Sequence, residues 1–245
     1  MLRSLEDLLG YTVHATDGDI GTVHGFYFDD QVWTIRYVVV DTGTWLTGRR
    51  VLISPLAFGE AEWETQRIYV GLTREQVVNS PSIELDKPVS RQKEETIRAY
   101  YGWPPYWTGT AAVTTAYAAA ALAEQADEER TAEDQHLRSS REVIGYRIHA
   151  IDGEIGHVEN FIVDDETWII QYMVVDTRNW LPGREVLVAP TWIEGIDWAE
   201  QEVEVDLHRE TIKNSPEYDP SAPVNRKYEA QLYDYYGRPK YWSER

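Results

Sequence analysis

One histidine and two acidic residues stand close together beside a predicted turn, and this arrangement occurs twice. The two sets are His14, Asp17 and Asp19, and His149, Asp152 and Glu154. Imidazole and carboxylate groups are ligands for divalent metal ions, so the sets suggest a ligand- or metal-binding sensor. One histidine per set leaves ligands missing. The alternative is a hairpin turn in which the aspartate serves the turn itself.

Repeated aspartates are the second group that could do chemistry. They are Asp29, Asp30 and Asp41, and Asp164, Asp165 and Asp176. Paired carboxyl groups support hydrolysis when burial raises the pKa of one of them. These aspartates fall at predicted turns and strand ends, where the side chain forms local hydrogen bonds. A Gly-rich phosphate loop, a nucleophile elbow and an HExxH motif are all missing from the sequence. We therefore predict no catalytic residue, no metal and no cofactor, with an unrecognised hydrolase as the less favoured alternative.

Histidines elsewhere do not add to the metal hypothesis. His24 and His157 do not align between the two halves of the chain. A repeated histidine cluster is therefore not expected.

Aromatic residues with a polar edge are abundant, with 10 Trp and 16 Tyr against 4 Phe. This type is enriched at protein interfaces. The candidates for partner binding, or for packing of a C-terminal arm, are Trp45, Trp180, Tyr101, Tyr106, Trp107, Tyr236, Tyr241 and Trp242.

The two halves of the chain are copies of one another. Gly10–Val23 recurs as Gly145–Val158, and the offset of 135 residues holds without a gap to the end of each half. Nearly half of the aligned positions are identical, which indicates a tandem duplication.

Each copy contains about six short β-strands with hairpin connections. Tyr11–Thr16 alternates apolar and polar residues, and Asp17-Gly18 is a strong hairpin signal. Ser4 is a candidate cap for a short helical turn, and Thr73 for another. The pattern predicts a small, closed or nearly closed antiparallel barrel.

Beyond each barrel lie a helix and a Pro-rich aromatic arm. In the first copy Ser90 caps the helix and Gly102 ends it. We predict two arms, Ser90–Trp107 and Asn225–Trp242, that lie extended across a surface. The predicted domains are repeat 1 with its arm at 1–107 (barrel about 5–80), a linker at 108–136 and repeat 2 with its arm at 137–245 (barrel about 140–215). The linker is Ala-rich and then acidic, which favours a partly helical, solvated segment.

Composition and charge narrow the function classes. The net charge of −19 disfavours nucleic acid and anionic membranes, whereas it permits a basic protein partner. The mean hydropathy is −0.49, and the sequence has no apolar run long enough to cross a bilayer. Acidic residues interrupt the N-terminal segment, which predicts no export signal and a cytoplasmic location. Cysteine is absent, so disulfides and thiolate sites are excluded.

These residues resemble the PRC-barrel family, a β-barrel module found in the cytoplasmic domain of the photosynthetic reaction centre H subunit and in a ribosome maturation factor. The matching segments in the first copy are Leu8–Tyr11, Asp17–Val23, Tyr37–Asp41, Val51–Pro55 and Val70–Thr73. The second copy contains the corresponding segments. The resemblance implies a non-catalytic interaction or assembly module.

The sequence therefore predicts a mainly β protein with short helices, built from two small antiparallel PRC-type barrels in tandem. Each barrel is followed by a helix and an extended aromatic arm, and the two form a pseudo-twofold pair that acts as an internal pseudo-dimer. We expect a non-enzymatic module that binds an unidentified protein partner, with no nucleic acid and no direct membrane insertion.

Overall fold

The computed structural model describes residues 1–46, 48–81, 89–107, 137–177 and 184–242. The described chain is mainly β, with two sheets of seven strands and few short helices, so the predicted fold class is confirmed. It divides into two compact units. Unit 1 contains Met1–Gly10, Val32–Arg36 and Ser139–Arg245, and unit 2 contains Tyr11–Gln31 and Tyr37–Arg138. The predicted linker at 108–136 lies outside the described residues, and the proposed domain boundaries stay predictions.

Fourteen strands are described. In chain order they are β1 (Leu2–Ser4), β2 (Thr12–Ala15), β3 (Gly18–Asp29), β4 (Thr34–Asp41), β5 (Arg50–Ile53), β6 (Phe58–Glu62), β7 (Arg67–Val70), β8 (Leu137–Ser139), β9 (Arg147–Ala150), β10 (Gly153–Asp164), β11 (Ile170–Asp176), β12 (Glu185–Val188), β13 (Ile193–Asp197) and β14 (Glu202–Val205). The described α-helices are α1 (Leu5–Leu8), α2 (Arg74–Val78), α3 (Arg91–Tyr101), α4 (Ser140–Val143), α5 (Arg209–Lys213) and α6 (Arg226–Tyr236).

The sheet of unit 2 has the strand order β5-β4-β3-β2-β7-β6, and β8 pairs with β3. The sheet of unit 1 has the matching order β12-β11-β10-β9-β14-β13, and β1 pairs with β10. Among the described residues, no pairing joins the two end strands of either sheet into a closed barrel.

One strand pair in each sheet is parallel, which differs from the antiparallel expectation. These pairs are β2 with β7 and β9 with β14. The cause is the connection after β5, where Pro55 starts a 3-10 turn at Pro55–Ala57 instead of a hairpin. Proline cannot donate a ladder hydrogen bond, so β5 and β6 do not form a hairpin, and with one reversal fewer β7 arrives parallel to β2.

The predicted hairpin at Asp17-Gly18 is present, because Ala15 of β2 pairs with Gly18 of β3. Three residues later the backbone of Gly21 touches a neighbouring strand. A Cβ at Gly21 would lie 2.0 Å from the Asp41 carbonyl oxygen, so this position requires glycine.

The predicted helix boundaries after the first barrel are also confirmed. The Ser90 hydroxyl accepts a hydrogen bond from the Lys93 amide at the start of α3, and Gly102 ends that helix in the left-handed region with φ of 72°. Thr73 caps α2 through a capping box with Gln76.

Ser4 does not cap α1 through its side chain as predicted. Its hydroxyl accepts a hydrogen bond of 2.7 Å from the Asn160 side chain instead. The difference arises because Ser4 also ends β1, and this strand joins the sheet of unit 1.

A strand from one half of the sequence completes the sheet formed by the other half. In unit 1, Leu2, Arg3 and Ser4 pair with Asp164, Val163 and Ile162 of β10. Arg3 Nε lies 2.6 Å from Asp165 Oδ2, and the N-terminal amino group also contacts this carboxylate. In unit 2, β8 carries the same Leu-Arg-Ser sequence and pairs with β3, with Arg138 Nε 3.4 Å from Asp30 Oδ2. The strand exchange is therefore reciprocal.

None of the helices in the described part of the chain has the length and apolar character needed to cross a membrane.

The exchange predicts which charge reversals rescue each other. Arg3→Asp should lower the melting temperature, because it places like charges beside Asp165. Adding Asp165→Arg should recover a coupling energy of about 1 kcal/mol. Adding Asp30→Arg should not, since Arg3 meets Asp30 only if β1 stays with its own copy. Thermal denaturation of the single and double variants measures this. Rescue by Asp30→Arg alone would contradict the exchanged pairing.

Candidate functional site

The His14, Asp17 and Asp19 set does not come together as a metal site. His14 Nδ1 lies 2.5 Å from Asp19 Oδ1, and this hydrogen bond lowers the pKa of Asp19, with Arg67 acting in the same direction. Asp17 is used elsewhere, because its Oδ1 accepts a hydrogen bond of 2.8 Å from the Arg74 amide. The hairpin turn is thus tied to the start of α2, a structural role that differs from the local turn role given as the alternative.

The second set repeats this use of the turn. Asp152 Oδ1 accepts a hydrogen bond of 2.7 Å from the Arg209 amide, which is the largest factor lowering the pKa of Asp152. His149 and Glu154 face each other across the β9–β10 pair, as His14 and Asp19 do across β2–β3. In both copies the turn aspartate fixes a helix to a hairpin.

The repeated aspartates are likewise engaged in structure. Asp41 accepts hydrogen bonds from the Gly43 amide and from Arg50, and the Gly43 amide is the main cause of its lowered pKa. Burial opposes ionisation of Asp164, yet hydrogen bonds from Thr167 and Glu166 leave its pKa lowered. A general acid at neutral pH needs a raised pKa, and these two carboxyl groups shift the other way.

A buried network of hydrogen bonds and ion pairs surrounds Glu94 in unit 2, and the sequence analysis did not predict it. The Glu94 carboxylate is fully buried on α3. Tyr37 of β4 donates a hydrogen bond of 2.9 Å to it, and Tyr106 of the arm donates another of 3.0 Å. Arg91 lies 3.1 Å from the same carboxylate and Arg98 4.0 Å. Glu94 therefore joins strand, helix and arm at one point.

Burial raises the pKa of Glu94, and the Tyr37 hydrogen bond, Arg91, Tyr106 and Arg98 only partly offset it. Burial also raises the pKa of Tyr37, so its hydroxyl stays a donor. The signal that could have revealed this site is the coincidence of Tyr37, Glu94 and Tyr106 with Tyr172, Glu229 and Tyr241 in the repeat.

Unit 1 contains the same arrangement around Glu229, a residue that is 2% exposed. Tyr172 and Tyr241 donate hydrogen bonds of 2.9 and 2.8 Å to Oε1, and Arg226 lies 3.0 Å from Oε2. Tyr233 stands at the position of Arg98. The two sites thus differ by one buried cation.

The arms double back after their helices, whereas the sequence predicted arms extended across a surface. Gly102 turns the chain, the Trp103 amide donates a hydrogen bond to the Arg98 carbonyl, and Arg98 Nε donates one of 2.9 Å to the Pro104 carbonyl. The Arg91 guanidinium lies 4.1 Å from the ring centroid of Trp107. Each arm therefore packs on its own helix through hydrogen bonds and cation–π contacts.

The remaining candidate aromatics fall into three groups. Tyr101 stacks on Trp103 at 4.3 Å, and Tyr236 packs at 4.6 Å from Trp192. Trp242 lies under Arg226 at 4.4 Å, while Tyr241 keeps 37% of its surface exposed. Trp45 lies in the 3-10 turn Gly43–Leu46, but its side chain and the whole of Trp180 lie outside what the structure describes.

A second cluster lies on the sheet of unit 1 and was not expected from the sequence. His157 Nε2 is 3.3 Å from Glu159 Oε2 and 3.7 Å from Asp176 Oδ2. The three donor atoms all lie within 4.8 Å of one another, which is the spacing of groups that can share a metal ion. Repeat reasoning set His157 aside because the first copy has Thr22 at that position.

Comparison with known proteins gives one family and one relative. A protein of Deinococcus radiodurans, named only "Uncharacterized protein", is 28% identical over 94 residues. The alignment covers 38% of this chain and 34% of the relative, so the chain spans about a third of the relative's length. The model of the PRC-barrel domain family matches residues 2–76. A PRC-barrel domain is therefore found at residues 2–76.

The Glu94 site contains the buried cation Arg98, and the Glu229 site has Tyr233 at that position. We therefore predict that truncating the two glutamates lowers the free energy of unfolding by different amounts. Glu94→Ala leaves the Arg98 guanidinium buried without its carboxylate and should cost about 3–5 kcal/mol in free energy of unfolding. Glu229→Ala leaves two phenols without an acceptor but frees only Arg226, whose side chain is 56% exposed, and should cost about 1–3 kcal/mol. Urea denaturation of both variants checks the order. Equal costs would show that the Arg98 contact is not what sets the difference.

Proposed function

We propose that this chain is a non-enzymatic interaction and assembly module built from two PRC-barrel copies, at 1–107 and 137–245, that act as an internal pseudo-dimer. The reciprocal strand exchange is the observation that carries the proposal. Each seven-stranded sheet takes one strand from the other half of the sequence. The linker at 108–136 keeps the two copies on one chain, which raises their effective concentration.

The ion pairs of the exchanged strands support this assembly role. Arg3 with Asp165 and Arg138 with Asp30 occupy equivalent positions in the two copies. All four side chains are 9–22% exposed, so these pairs are partly desolvated and better ordered than a surface pair. The same ion pair therefore anchors the exchanged strand in both units.

Two observations argue against catalysis. Asp41 and Asp164, two of the repeated aspartates, accept hydrogen bonds from backbone amides, and their pKa values are lowered. The carboxyl group of Glu94 has a raised pKa, but it is fully buried and closed in by Tyr37 and Tyr106. Neither arrangement offers substrate an accessible acid or base.

We place the partner on surfaces that the arms do not use. The arm aromatics Tyr106 and Trp107 already contact α3, so we assign partner binding to Trp45 and Trp180. The net charge of −19 favours a protein with a basic surface over nucleic acid or membrane insertion, and a cytoplasmic setting completes the proposal.

Loss of both loop tryptophans should weaken partner capture. The full chain and a Trp45→Ala/Trp180→Ala variant are used as baits in an extract of the native host, and bound proteins are quantified by mass spectrometry. Buried tryptophans at interfaces often contribute about 2 kcal/mol or more each, so a true partner should fall to background. Leu56→Ala, which removes an exposed apolar side chain, is the control. Equal recovery by all three baits would contradict the assignment of these tryptophans.

A further inference from the structure

Four side chains lie in neighbouring positions on three strands of the unit 1 sheet. His157 on β10 pairs in register with Asp176 on β11, and Asp176 pairs with Glu185 on β12. Directly opposite residues of antiparallel strands lie on the same face. Glu159 lies two residues after His157, at a register shift of β10 against β11, and its carboxylate is 3.3 Å from the His157 ring.

Three of these groups already converge on one point. The His157–Glu159 and His157–Asp176 distances of 3.3 and 3.7 Å both involve the same ring nitrogen, Nε2. One N–H group can donate only one strong hydrogen bond, whereas a metal ion satisfies several ligands at once. The Asp176 side chain is 1% exposed, while those of His157 and Glu159 are 31% and 37% exposed. The cluster therefore combines one buried carboxylate with two side chains that solvent can reach.

In the first copy, an arginine lies beside Asp41, the aspartate that corresponds to Asp176. There Thr22 and His24 replace His157 and Glu159, and the Arg50 guanidinium lies 3.2 Å from the Asp41 carboxylate. A buried or half-buried carboxylate is stabilised by such a cation.

The second copy replaces that cation with an acid. Glu185 stands at the position of Arg50, in register with Asp176. Arg147, which lies opposite His157 on β9, forms an ion pair with Glu202 at 2.6 Å. The exchange of arginine for glutamate changes the charge at this position from positive to negative, which favours cation binding at the cluster.

We propose that His157, Glu159 and Asp176 bind a divalent transition-metal ion, with water in the remaining position. An imidazole with two carboxylates suits ions such as Zn²⁺, Co²⁺ or Mn²⁺. Bond lengths of about 2.0–2.1 Å in a tetrahedral site place ligand atoms about 3.3 Å apart. Two of the three separations, 3.3 and 3.7 Å, lie near this value, so small side-chain movements complete the site. This inference does not depend on the interaction role.

The test uses the full chain, freed of metal by a chelator and dialysis. Co²⁺ is titrated while its visible absorbance is recorded, and Zn²⁺ binding is measured by calorimetry. The wild type should bind one ion per chain, and Zn²⁺ should displace Co²⁺. His157→Ala should abolish the Co²⁺ spectrum. His24→Ala, which removes a histidine of the first copy, should leave binding unchanged.

Glu185→Arg gives an independent variant that keeps all three ligands. It installs the arginine of the first copy beside Asp176 and should weaken Zn²⁺ binding by about 10–100-fold. Circular dichroism of each metal-free variant checks that the fold is retained. Weak binding of several ions that His157→Ala leaves unchanged would show diffuse attraction to an acidic surface and overturn the site. Failure of the folded wild type to bind either ion at millimolar concentration would overturn it as well.

Discussion

In each unit a twelve-residue strand, β3 or β10, lies beside a four-residue strand, β2 or β9. The shorter strand leaves some main-chain hydrogen-bonding groups of the longer one unpaired, and each unit depends on another strand to pair them. In unit 1, β9 covers only the first part of β10, through the pairs from Gly153 to His157. The far end of β10, from Ile162 to Asp164, pairs with β1 instead. Unpaired edge groups invite wrong association, so the added strand both completes the ladder and removes an edge. The assembly role that we propose rests on this requirement.

The buried carboxylates perform a corresponding task between each sheet, its helix and its arm. Glu94 and Glu229 each accept hydrogen bonds from a strand tyrosine and an arm tyrosine, which fixes the arm to the helix and the helix to the sheet. Such a network stabilises only when all its members are satisfied, and this explains why the arm returns along its helix. The aromatic residues of the arms are consequently used within the chain, and for this reason we place the proposed partner on other surfaces.

Local rules predicted the parts of the fold that depend on neighbouring residues. The hairpin at Asp17-Gly18 and the helix limits at Ser90 and Gly102 follow from turn and cap chemistry. The exchange could not be predicted, because Leu-Arg-Ser is identical in both copies and fits either sheet equally well by sequence. The parallel pairing of β2 with β7 follows from the 3-10 turn at Pro55, and strand patterning alone does not show in which direction the chain continues after such a turn. The His157 cluster escaped notice because repeat symmetry directs attention to residues that match, and this cluster arises where the copies differ.

The exchange of strands is tested most directly by cutting the chain after it has folded. A protease site placed within 108–136 separates the two copies covalently without touching a described strand. Because each sheet holds a strand of the other fragment, the two fragments should still elute as one species at the mass of the intact chain. They should separate only under denaturing conditions. Fragments that separate into two folded species in native buffer would contradict the exchanged assembly.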